Sequence, residues 1–440
     1  MRSKLTARLT RLAGLVATVH TGELRAVLLA FLCNFILLGS YYILRPVRDT
    51  FATVFGVGEL QNLFTGTFVL TALCVPLFAA LVSRLSLRRV LPGVFWFWLC
   101  NILLFYALLR IAPTNLWVAG AYYLWFSVAN LFMISVFWSL MVDTFSPEQA
   151  TRLFALIAAG GSTGAIAGPV ITRCAVRAVG LPGLLLIAAA GFALVIVMVH
   201  LLMREKQRLG NASAGAQHST LDHALSGNPF DGFTHLFRSR YMLNQAAFML
   251  LMTWITTIAY FLQTDLVART FSELEQRAQA LADIDLVVNI CSALVLLFGL
   301  ARLVQRFGVT AGLVLNPILM IAGFIGMVLS PTLLMLQATQ VVRRVSQYAI
   351  ARPSREICFT VLPQEDRYKA KNIIDTAVYR FGDLSAAWVQ AGLRLAGFGS
   401  TAALGLGLAA SGVWGVVSVA LGRRYESLRA QTPARPNLRA

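Results

Sequence analysis

The chain has 440 residues, of which 58% are hydrophobic and 13% are charged, and its mean hydropathy is +0.71. Soluble domains carry about 25% charged residues, so this composition excludes an ordinary soluble protein and indicates a chain embedded in a lipid bilayer. The net charge of +18 could suit nucleic acid, but the 33 arginines and four lysines fall mostly in short connections between apolar segments. This placement is typical of membrane topology and predicts no nucleic-acid partner.

The N-terminal residues and the cysteines are predicted to carry no processing signal and no cross-links. Residues 1–23 contain four basic residues but no long apolar stretch with a cleavage site, so they are expected to form a retained amphipathic cytoplasmic lead. The six cysteines show no CxxC or Cys/His spacing, which predicts neither a disulfide framework nor a zinc site. No cofactor is expected. The cysteines are Cys33, Cys74, Cys100, Cys174, Cys291 and Cys358.

Twelve apolar segments are long enough to cross a hydrocarbon core of ~30 Å, which takes about 20 residues. The first six lie near 24–50, 58–83, 90–110, 115–142, 153–178 and 182–203. The second six lie near 240–268, 284–305, 309–330, 332–358, 373–396 and 400–422. We therefore predict an all-α membrane protein with twelve transmembrane helices in two six-helix bundles, 24–203 and 240–422. A polar linker at 204–239 separates the bundles, and a tail at 423–440 follows them.

The positions of the basic residues predict the orientation in the membrane. With a cytoplasmic N-terminus, 26 of the 37 lysines and arginines lie on the cytoplasmic side, eight lie on the opposite side and three lie within spans. Cytoplasmic connections carry the excess of positive charge. Both termini and the linker are therefore predicted to be cytoplasmic, in a multi-pass protein of the cell inner membrane that is expected to be a monomer.

The two halves resemble each other weakly at equivalent places. "SRLS" at 83–86 and "QRFG" at 305–308 each close the second span of a half, 222 residues apart. "SPEQATRLF" and "LPQEDRYKAKN" each precede the fifth span of a half, 216 residues apart. An offset close to half the chain length is what duplicated six-helix halves give.

Span 10 contains five polar side chains within eleven residues that are costly inside a bilayer: Gln337, Gln340, Arg343, Arg344 and Gln347. Arg344 lies 12 residues into the span, at a rise of about 18 Å. A lipid-facing arginine at that depth costs from about 3 to more than 10 kcal/mol. We therefore expect it to face an aqueous cavity or a carboxylate. The alternative is a structural ion pair that locks two helices together.

Span 11 supplies carboxylates that could serve as partners. Asp375, Tyr379 and Asp383 follow the spacing of one helical face, and Arg380 lies three residues before Asp383. These residues are candidates for substrate binding, although Arg380 and Asp383 could simply pair with each other. In span 7, Asp265 could couple protons, but it is expected to cap a helix or to lie among the headgroups.

Span 1 ends in the charged stretch "SYYILRPVRDTF". Arg45 and Arg48 share a helix face, and Asp49 lies one turn after Arg45. Such a cluster could hold phosphates or carboxylates by charge-assisted hydrogen bonds. The alternative is that both arginines reach the outer headgroups while Asp49 pairs with Arg45.

Span 5 carries a glycine stripe in "AAGGSTGAIAGPVI". Gly160, Gly164 and Gly168 recur every fourth residue and precede Pro169, a spacing that allows close approach of two helix backbones. The pattern resembles the fifth-span antiporter motif of the major facilitator superfamily, and "VSRLSLRRVL" resembles the loop motif of that superfamily. The resemblance implies that these residues gate transport by packing against span 8.

"YYILRPVRDTF" and "QEDRYKAKNIIDTAVYRFGD" are the most distinctive stretches of the chain. Both resemble the ATP:ADP antiporter (nucleotide transporter) family, which lies within the superfamily or is distantly related to it. The resemblance implies exchange of nucleotides whose phosphates bind basic residues. Those residues would be Arg48, where the family has a lysine, and Lys369 or Lys371.

We therefore predict a secondary active transporter that works by alternating access and is not an enzyme. Its substrate is expected to be a small organic anion, with a nucleotide or another phosphorylated metabolite favoured. The basic residues of spans 1, 10 and 11 are expected to line its cavity. One alternative is a transporter of a drug, lipid or other amphiphile. Another is a non-transporting membrane scaffold.

Overall fold

The computed structural model describes residues 20, 22–84, 87–212, 237, 239–362, 371 and 373–431, and over these residues the regular structure is helical. Nearly all of the predicted lead, most of the predicted linker and Lys369 lie outside the described residues. The part of the linker that is described, up to Ala212, continues the preceding helix. The tail likewise continues as helix to Gln431.

Five helices make up the described part of the first half of the chain. They are α1 (Leu24–Phe55), α2 (Leu60–Arg84), α3 (Leu87–Ile111), α4 (Leu116–Thr144) and α5 (Pro147–Ala212). The second half contains α6 (Arg240–Thr270), α7 (Leu274–Phe298), α8 (Leu300–Leu329), α9 (Leu333–Ser346), α10 (Arg352–Cys358), α11 (Tyr379–Leu395) and α12 (Ser400–Gln431). Two π-helical turns, Gln347–Ala351 and Ile374–Val378, and a 3₁₀ turn, Phe359–Val361, lie between these helices.

Nine helices within the described residues are long and apolar enough to cross a membrane. One of them, Pro147–Lys206, consists of two helices joined at Gly180, and these cover predicted spans 5 and 6. Its backbone turns at Gly180, whose φ of 68° lies in the left-handed region that favours glycine. Predicted spans 10 and 11 are divided among shorter helices. Twelve spans in two bundles therefore stay a prediction.

The eighth span begins earlier than its hydropathy predicts. The prediction was 284–305, whereas α7 runs from Leu274 to Phe298 and α8 follows almost at once. The first turns of α7 contain Glu275, Arg277 and Asp283. Because these charged residues lower the local hydropathy, the sequence assigns the segment to a loop. The chain then turns at Gly308, whose φ is 79°.

The chain divides into two compact units that do not follow the halves of the sequence. Unit 1 comprises residues 1–55, 69–224 and 271–286, and unit 2 comprises 56–68, 225–270 and 287–440. The division therefore falls within α2 and within α7. The first half of α7, including Asp285, belongs to the same unit as α1 and α5.

Unit 1 is built around the pair of α1 and α5. Both helices contribute to one apolar core, together with α3 and α4. Asn34 of α1 donates from Nδ2 to the carbonyl of Ile157 at 3.0 Å, and Tyr122 of α4 donates to the carbonyl of Leu44 at 3.1 Å. Each bond satisfies a buried polar side chain that would be costly if left unpaired.

Unit 2 has its own apolar core, formed mainly by α6, α8 and α12. Phe248 of α6 packs against Trp414 of α12 with 5.4 Å between ring centroids, and both side chains are fully buried. Gly407 of α12 lies directly on the ring of Phe324 of α8, so the helices approach closely there. The shorter pieces α9, α10 and α11 pack onto this core and carry most of the predicted site.

Candidate functional site

The charged cluster at the end of α1 lies inside unit 1. The carboxylate of Asp49 accepts hydrogen bonds from Nε and Nη2 of Arg48 at 2.9 and 2.5 Å. Arg45 lies between two carboxylates, with Nε 4.0 Å from Asp49 and Nη1 3.5 Å from Asp285. The pairing of Arg45 with Asp49 is the one expected if the cluster is structural. Asp285, however, adds a partner that the sequence analysis did not include.

Aromatic rings surround the two arginines of this cluster. The guanidinium of Arg48 lies over the rings of Tyr123 and Phe126, at 5.6 and 5.8 Å from their centroids. Arg45 lies 5.6 Å from the centroid of Tyr42. Cations over aromatic faces gain about 0.5–2 kcal/mol, and more where water is excluded. Stacking leaves the edge of a guanidinium available for oxyanions.

The glycine stripe of α5 packs against α1. A Cβ atom added to Gly160 would overlap the carbonyl oxygen of Phe31, and one added to Gly164 would overlap that of Phe35. Gly168 lies in the same way against Gly39. The expectation that these glycines pack against span 8 was therefore wrong. Glycine removes the side chain that would hold two neighbouring helices apart, and here the neighbour is α1.

Span 8 does meet α5 in unit 1, but through charged and polar side chains. Nη1 of Arg173 lies 3.0 Å from the carboxylate of Asp283, and Nε of Arg177 donates to the amide oxygen of Gln279 at 2.9 Å. These partners lie beyond the glycine stripe along α5 and on the first turns of α7. A gating role for Gly160, Gly164, Gly168 and Pro169 stays a prediction.

Arg343 is the centre of a hydrogen-bonded cluster in unit 2. Its Nε and Nη2 donate to the amide oxygen of Gln340 at 3.1 and 2.8 Å, and its Nη1 donates to Gln347 at 2.9 Å and to Thr256 at 3.2 Å. Gln340 in turn donates to the carbonyl of Ala259 at 2.7 Å. The side chain of Arg343 is 4% exposed. These bonds tie α9 to α6 and fix the direction of a buried cation.

Arg344 lies beside this cluster and is equally buried, with 3% of its surface exposed. Its Nη2 donates to the amide oxygen of Gln263 at 3.3 Å. Gln263 therefore orients Arg344 from α6. Two adjacent arginines with neutral amides among their partners place strong positive charge inside the protein.

The start of α11 faces α6 with a second set of polar contacts. Asp383 accepts a hydrogen bond from Thr257 at 3.0 Å, and its carboxylate lies 3.7 Å from Nη1 of Arg380. Arg380 also lies 5.9 Å from the ring centroid of Tyr379. The pairing of Arg380 with Asp383 that the simpler interpretation expects is thus present.

Asp375 belongs to a different group from Asp383. Its carboxylate accepts from Nη2 of Arg355 at 2.5 Å, and the ammonium of Lys371 lies 2.5 Å from Glu356. Because residues 374–378 form a π-helical turn, the spacing assumed for one α-helical face does not apply between Asp375 and Asp383. The two acids therefore contact different helices.

Three participants in these clusters were missed by the sequence analysis. Asp285 is the second of two acids in "ADIDLVV", Arg355 lies in "ARPSREIC", and Thr256 is one of two adjacent threonines in an apolar helix. An acid or arginine that interrupts an apolar segment was the available signal for the first two. Nothing in the sequence distinguishes Thr256 from its neighbours. The six cysteines are free, and no group of acids, histidines and cysteines in the described part of the chain could hold a metal.

The fold and the buried charges are those of a multi-pass membrane transporter. Residues 30–347 match the family model described as Major Facilitator Superfamily. This match spans more than half of the chain, and the protein belongs to that superfamily.

Among characterised transporters, the chain is similar to ADP,ATP carriers. The chain is 20% identical to ADP,ATP carrier protein 1 of Chlamydia pneumoniae over 455 aligned residues, covering 85% of both chains. It is 23% identical to ADP,ATP carrier protein 1 of Chlamydia trachomatis, covering 85% of this chain and 83% of the relative. The resemblance to the ATP:ADP antiporter family is confirmed, and these relatives are transporters rather than enzymes.

Solved structures of low sequence identity share the fold. A bacterial homologue of the iron transporter ferroportin, in its inward-facing state, aligns with a TM-score of 0.65 at 13% identity, covering 91% of this chain and 99% of the other. A mutant of the nucleoside transporter NupG aligns with a TM-score of 0.62 at 14% identity, covering 92% and 99%. At these identities the likeness concerns the fold alone.

Proposed function

We propose that this protein is a secondary active transporter of an organic anion, with a nucleotide or another phosphorylated metabolite as its substrate, and that it works by alternating access. The observation that carries the proposal is the pair Arg343 and Arg344 of predicted span 10, which are 4% and 3% exposed. Burying two adjacent cations in a membrane protein costs several kcal/mol. A binding role for an anion explains why such a pair is present.

The substrate class is supported by the chemistry of the basic residues. Guanidinium groups bind phosphate oxygens in pairs, and a charge-assisted hydrogen bond is worth about 1.5–3 kcal/mol. Arg45 and Arg48 of unit 1 are held by Asp49 and by aromatic rings, so they are oriented before any ligand arrives. The relatives named as ADP,ATP carriers favour a nucleotide over other phosphorylated solutes.

In this proposal the other predicted residues orient the arginines or add polar groups near them. Gln340 and Gln347 orient Arg343, while Asp375, Tyr379, Arg380 and Asp383 belong to the polar surface of span 11. Lys371 pairs with Glu356, and substrate phosphates would compete for it. Nucleotide exchange and proton-coupled movement are both compatible with these groups. We infer residence in the inner membrane of a bacterial cell, with both termini in the cytoplasm.

Binding and transport on the same purified variants test the proposal. We expect ADP or ATP to raise the melting temperature, and labelled ATP to enter proteoliposomes preloaded with ADP. Arg344→Ala should weaken binding at least tenfold, because about 1.5–3 kcal/mol is lost. Arg344→Lys should retain part of the affinity, since the charge stays while the planar fork is lost. Arg306→Ala, an exposed arginine of α8, is the matched control.

The alternative interpretations give different results in that experiment. If Arg344 is only structural, alanine should lower the melting temperature without a separate loss of affinity. A transporter of amphiphiles should respond to apolar solutes and not to nucleotides, sugar phosphates or dicarboxylates. An Arg344→Ala protein that is stable and transports ATP at the wild-type rate would refute the anion site.

A further inference from the structure

Unit 2 contains a cavity away from the arginine cluster. It has a volume of about 170 Å³, which is room for several water molecules. It lies where α6 and α11 end and α12 begins. Gln340, Gln347, Thr256 and Gln263, which accept hydrogen bonds from Arg343 and Arg344, do not line it. Its walls are formed by Val57, Phe261, Leu262, Asp265, Arg269, Gln390, Leu393, Arg394, Phe398, Gly399, Ser400 and Ala403.

Two residues that line this cavity have a hydrogen-bond donor without an acceptor in the described part of the chain. Gln390 is 4% exposed, and its Nε2 has no partner among the residues that the structure describes. Nε of Arg394 is likewise buried without a partner among those residues. Buried donors are satisfied in nearly all folded proteins. Both residues line one cavity, and an acceptor that reached both donors from it would satisfy them.

The remaining contacts of Arg394 fix its position beside the cavity. Its Nη2 donates to the amide oxygen of Gln61 at 3.1 Å, and its guanidinium lies 6.0 Å from the ring centroid of Phe261. The side chain is therefore held on one edge by an amide and on one face by an aromatic ring. The N–H group at Nε of Arg394 has no partner among the described residues and could donate to a ligand.

The charges on the cavity wall favour an anion. Asp265 accepts from Nε of Arg269 at 2.9 Å, so its charge is matched by its neighbour on the same helix. Arg394 then leaves the lining residues with one positive charge in excess, which nearby Glu59 offsets in part. The other lining side chains, among them Phe261, Leu262 and Leu393, are apolar. A ligand with an oxyanion and an apolar portion fits this combination.

We propose that this cavity is a second ligand site of the transporter, which binds a phosphate group through Nε of Arg394 and Nε2 of Gln390. The phosphate belongs either to a free solute or to the headgroup of a lipid whose chains lie along the apolar wall. The site is separate from the arginine cluster of the proposed transport function. Gln390 and Asp265 line this site, whereas the transport proposal assigns them no role.

The test is made in an Arg344→Gln background, so that binding at the arginine cluster does not contribute. Protein in phosphate-free detergent is titrated with inorganic phosphate and, separately, with dihexanoyl phosphatidic acid below its micellar concentration. Sodium chloride at equal ionic strength is the reference. Gln390→Met removes the donor with little change of volume, and Arg394→Lys keeps the charge but removes Nε. Arg110→Gln, an exposed arginine at the end of α3, is the matched control.

We expect the ligand to raise the melting temperature. Gln390→Met and Arg394→Lys should each need about tenfold more ligand, or still more, for the same rise, because each loses a charge-assisted hydrogen bond. Arg110→Gln should leave the rise unchanged. A response to both probes identifies a free phosphate as sufficient, and a response to the phosphatidic acid alone identifies a lipid headgroup. The proposal is overturned if neither probe exceeds the sodium chloride reference. It is equally overturned if the Arg394→Lys protein, which retains the charge and the fold, binds as tightly as its parent.

Discussion

At the scale of single residues, Arg343 shows how a buried cation is held by its own helix. Gln340 precedes it by three residues and Gln347 follows it by four, so both amides lie on its face. Each amide oxygen accepts from the guanidinium at 2.8–2.9 Å. A buried polar group left without a partner costs about 1–3 kcal/mol. The three side chains are therefore coupled, and changing one affects the others.

Replacement of Gln340 by leucine should destabilise the protein. Gln340→Leu removes the acceptor for two guanidinium bonds and the donor to the carbonyl of Ala259. We expect a loss of about 1–3 kcal/mol in unfolding free energy, seen as a lower melting temperature in detergent. Gln337→Leu, one turn earlier and half-buried, should change it much less. Equal melting temperatures for the two variants would show that the cluster adds no stability.

Glu23, just before α1, makes stability depend on pH. Burial alone would raise the pKa of this carboxyl, but hydrogen bonds from Gln149 and Arg152 and from the backbone of His20 outweigh it and lower the pKa. The bonds from Gln149 and Arg152 measure 2.9 and 3.0 Å. Glu23 therefore ties the start of α1 to the start of α5 in its ionised form.

The contribution of Glu23 should disappear in acid. A carboxyl whose pKa is lowered on folding stabilises the protein above its unfolded pKa of about 4.3. That stability is lost as the pH falls through the folded pKa. The wild type should melt higher than Glu23→Gln near pH 7, and the difference should shrink below about pH 4. Glu148→Gln, at an exposed site on α5, serves as control. A difference that is constant over this range would contradict the assignment.

At the scale of elements, the contact between α1 and α5 depends on the absence of side chains. A Cβ at Gly164 would overlap the carbonyl of Phe35, and backbone cannot move aside as a flexible side chain can. Gly164→Ala should therefore cost about 1–3 kcal/mol of stability, as overpacking does. Gly405→Ala in α12, where nothing lies within 4 Å, should be neutral or slightly stabilising, because alanine favours helix. Melting temperatures that rise equally in both variants would contradict the close approach.

The sequence predicted most helices well because apolar length is a strong signal. The prediction failed where a helix is stabilised by contacts with other helices rather than by its own apolar length. The first turns of α7 are polar, and their side chains are satisfied by Arg173 and Arg177 of α5, which cannot be foreseen from the segment alone. It failed again at 347–351 and 374–378, where a π-helical turn shifts every later side chain off the face that a period of 3.6 predicts.

Within the site, the sequence identified candidate residues but not which residues pair with each other. Arg343, Arg344, Asp375 and Asp383 stand out because charged side chains are rare in spans. Their partners are set by tertiary packing: Arg343 binds amides, and Asp375 binds Arg355 rather than another residue of span 11. The glycine stripe likewise predicted a close helix contact, but its spacing does not identify the neighbouring helix.

At the scale of the whole molecule, the orientation in the membrane is open to a direct measurement. The excess of basic residues predicts that residues 204–238 face the cytoplasm, while the exposed Ser272 between α6 and α7 faces outside. In a cysteine-free background, an impermeant maleimide applied to intact cells should label Ser272→Cys but not His218→Cys. Permeabilised cells should show labelling at both sites. External labelling of His218→Cys alone would reverse the predicted topology.

The assignment of residues to the two units has a consequence for how the chain can be divided. Because 56–68 belong to unit 2 and 271–286 to unit 1, a cut in the linker yields two fragments, neither of which contains a whole unit. The first fragment lacks the segment that supplies Asp285 to Arg45, and the second lacks Gln61, which holds Arg394. If the two halves arose by duplication, as the repeated motifs predict, each half depends on a segment of the other. Such reciprocal dependence would select against the separation of the halves into independent genes.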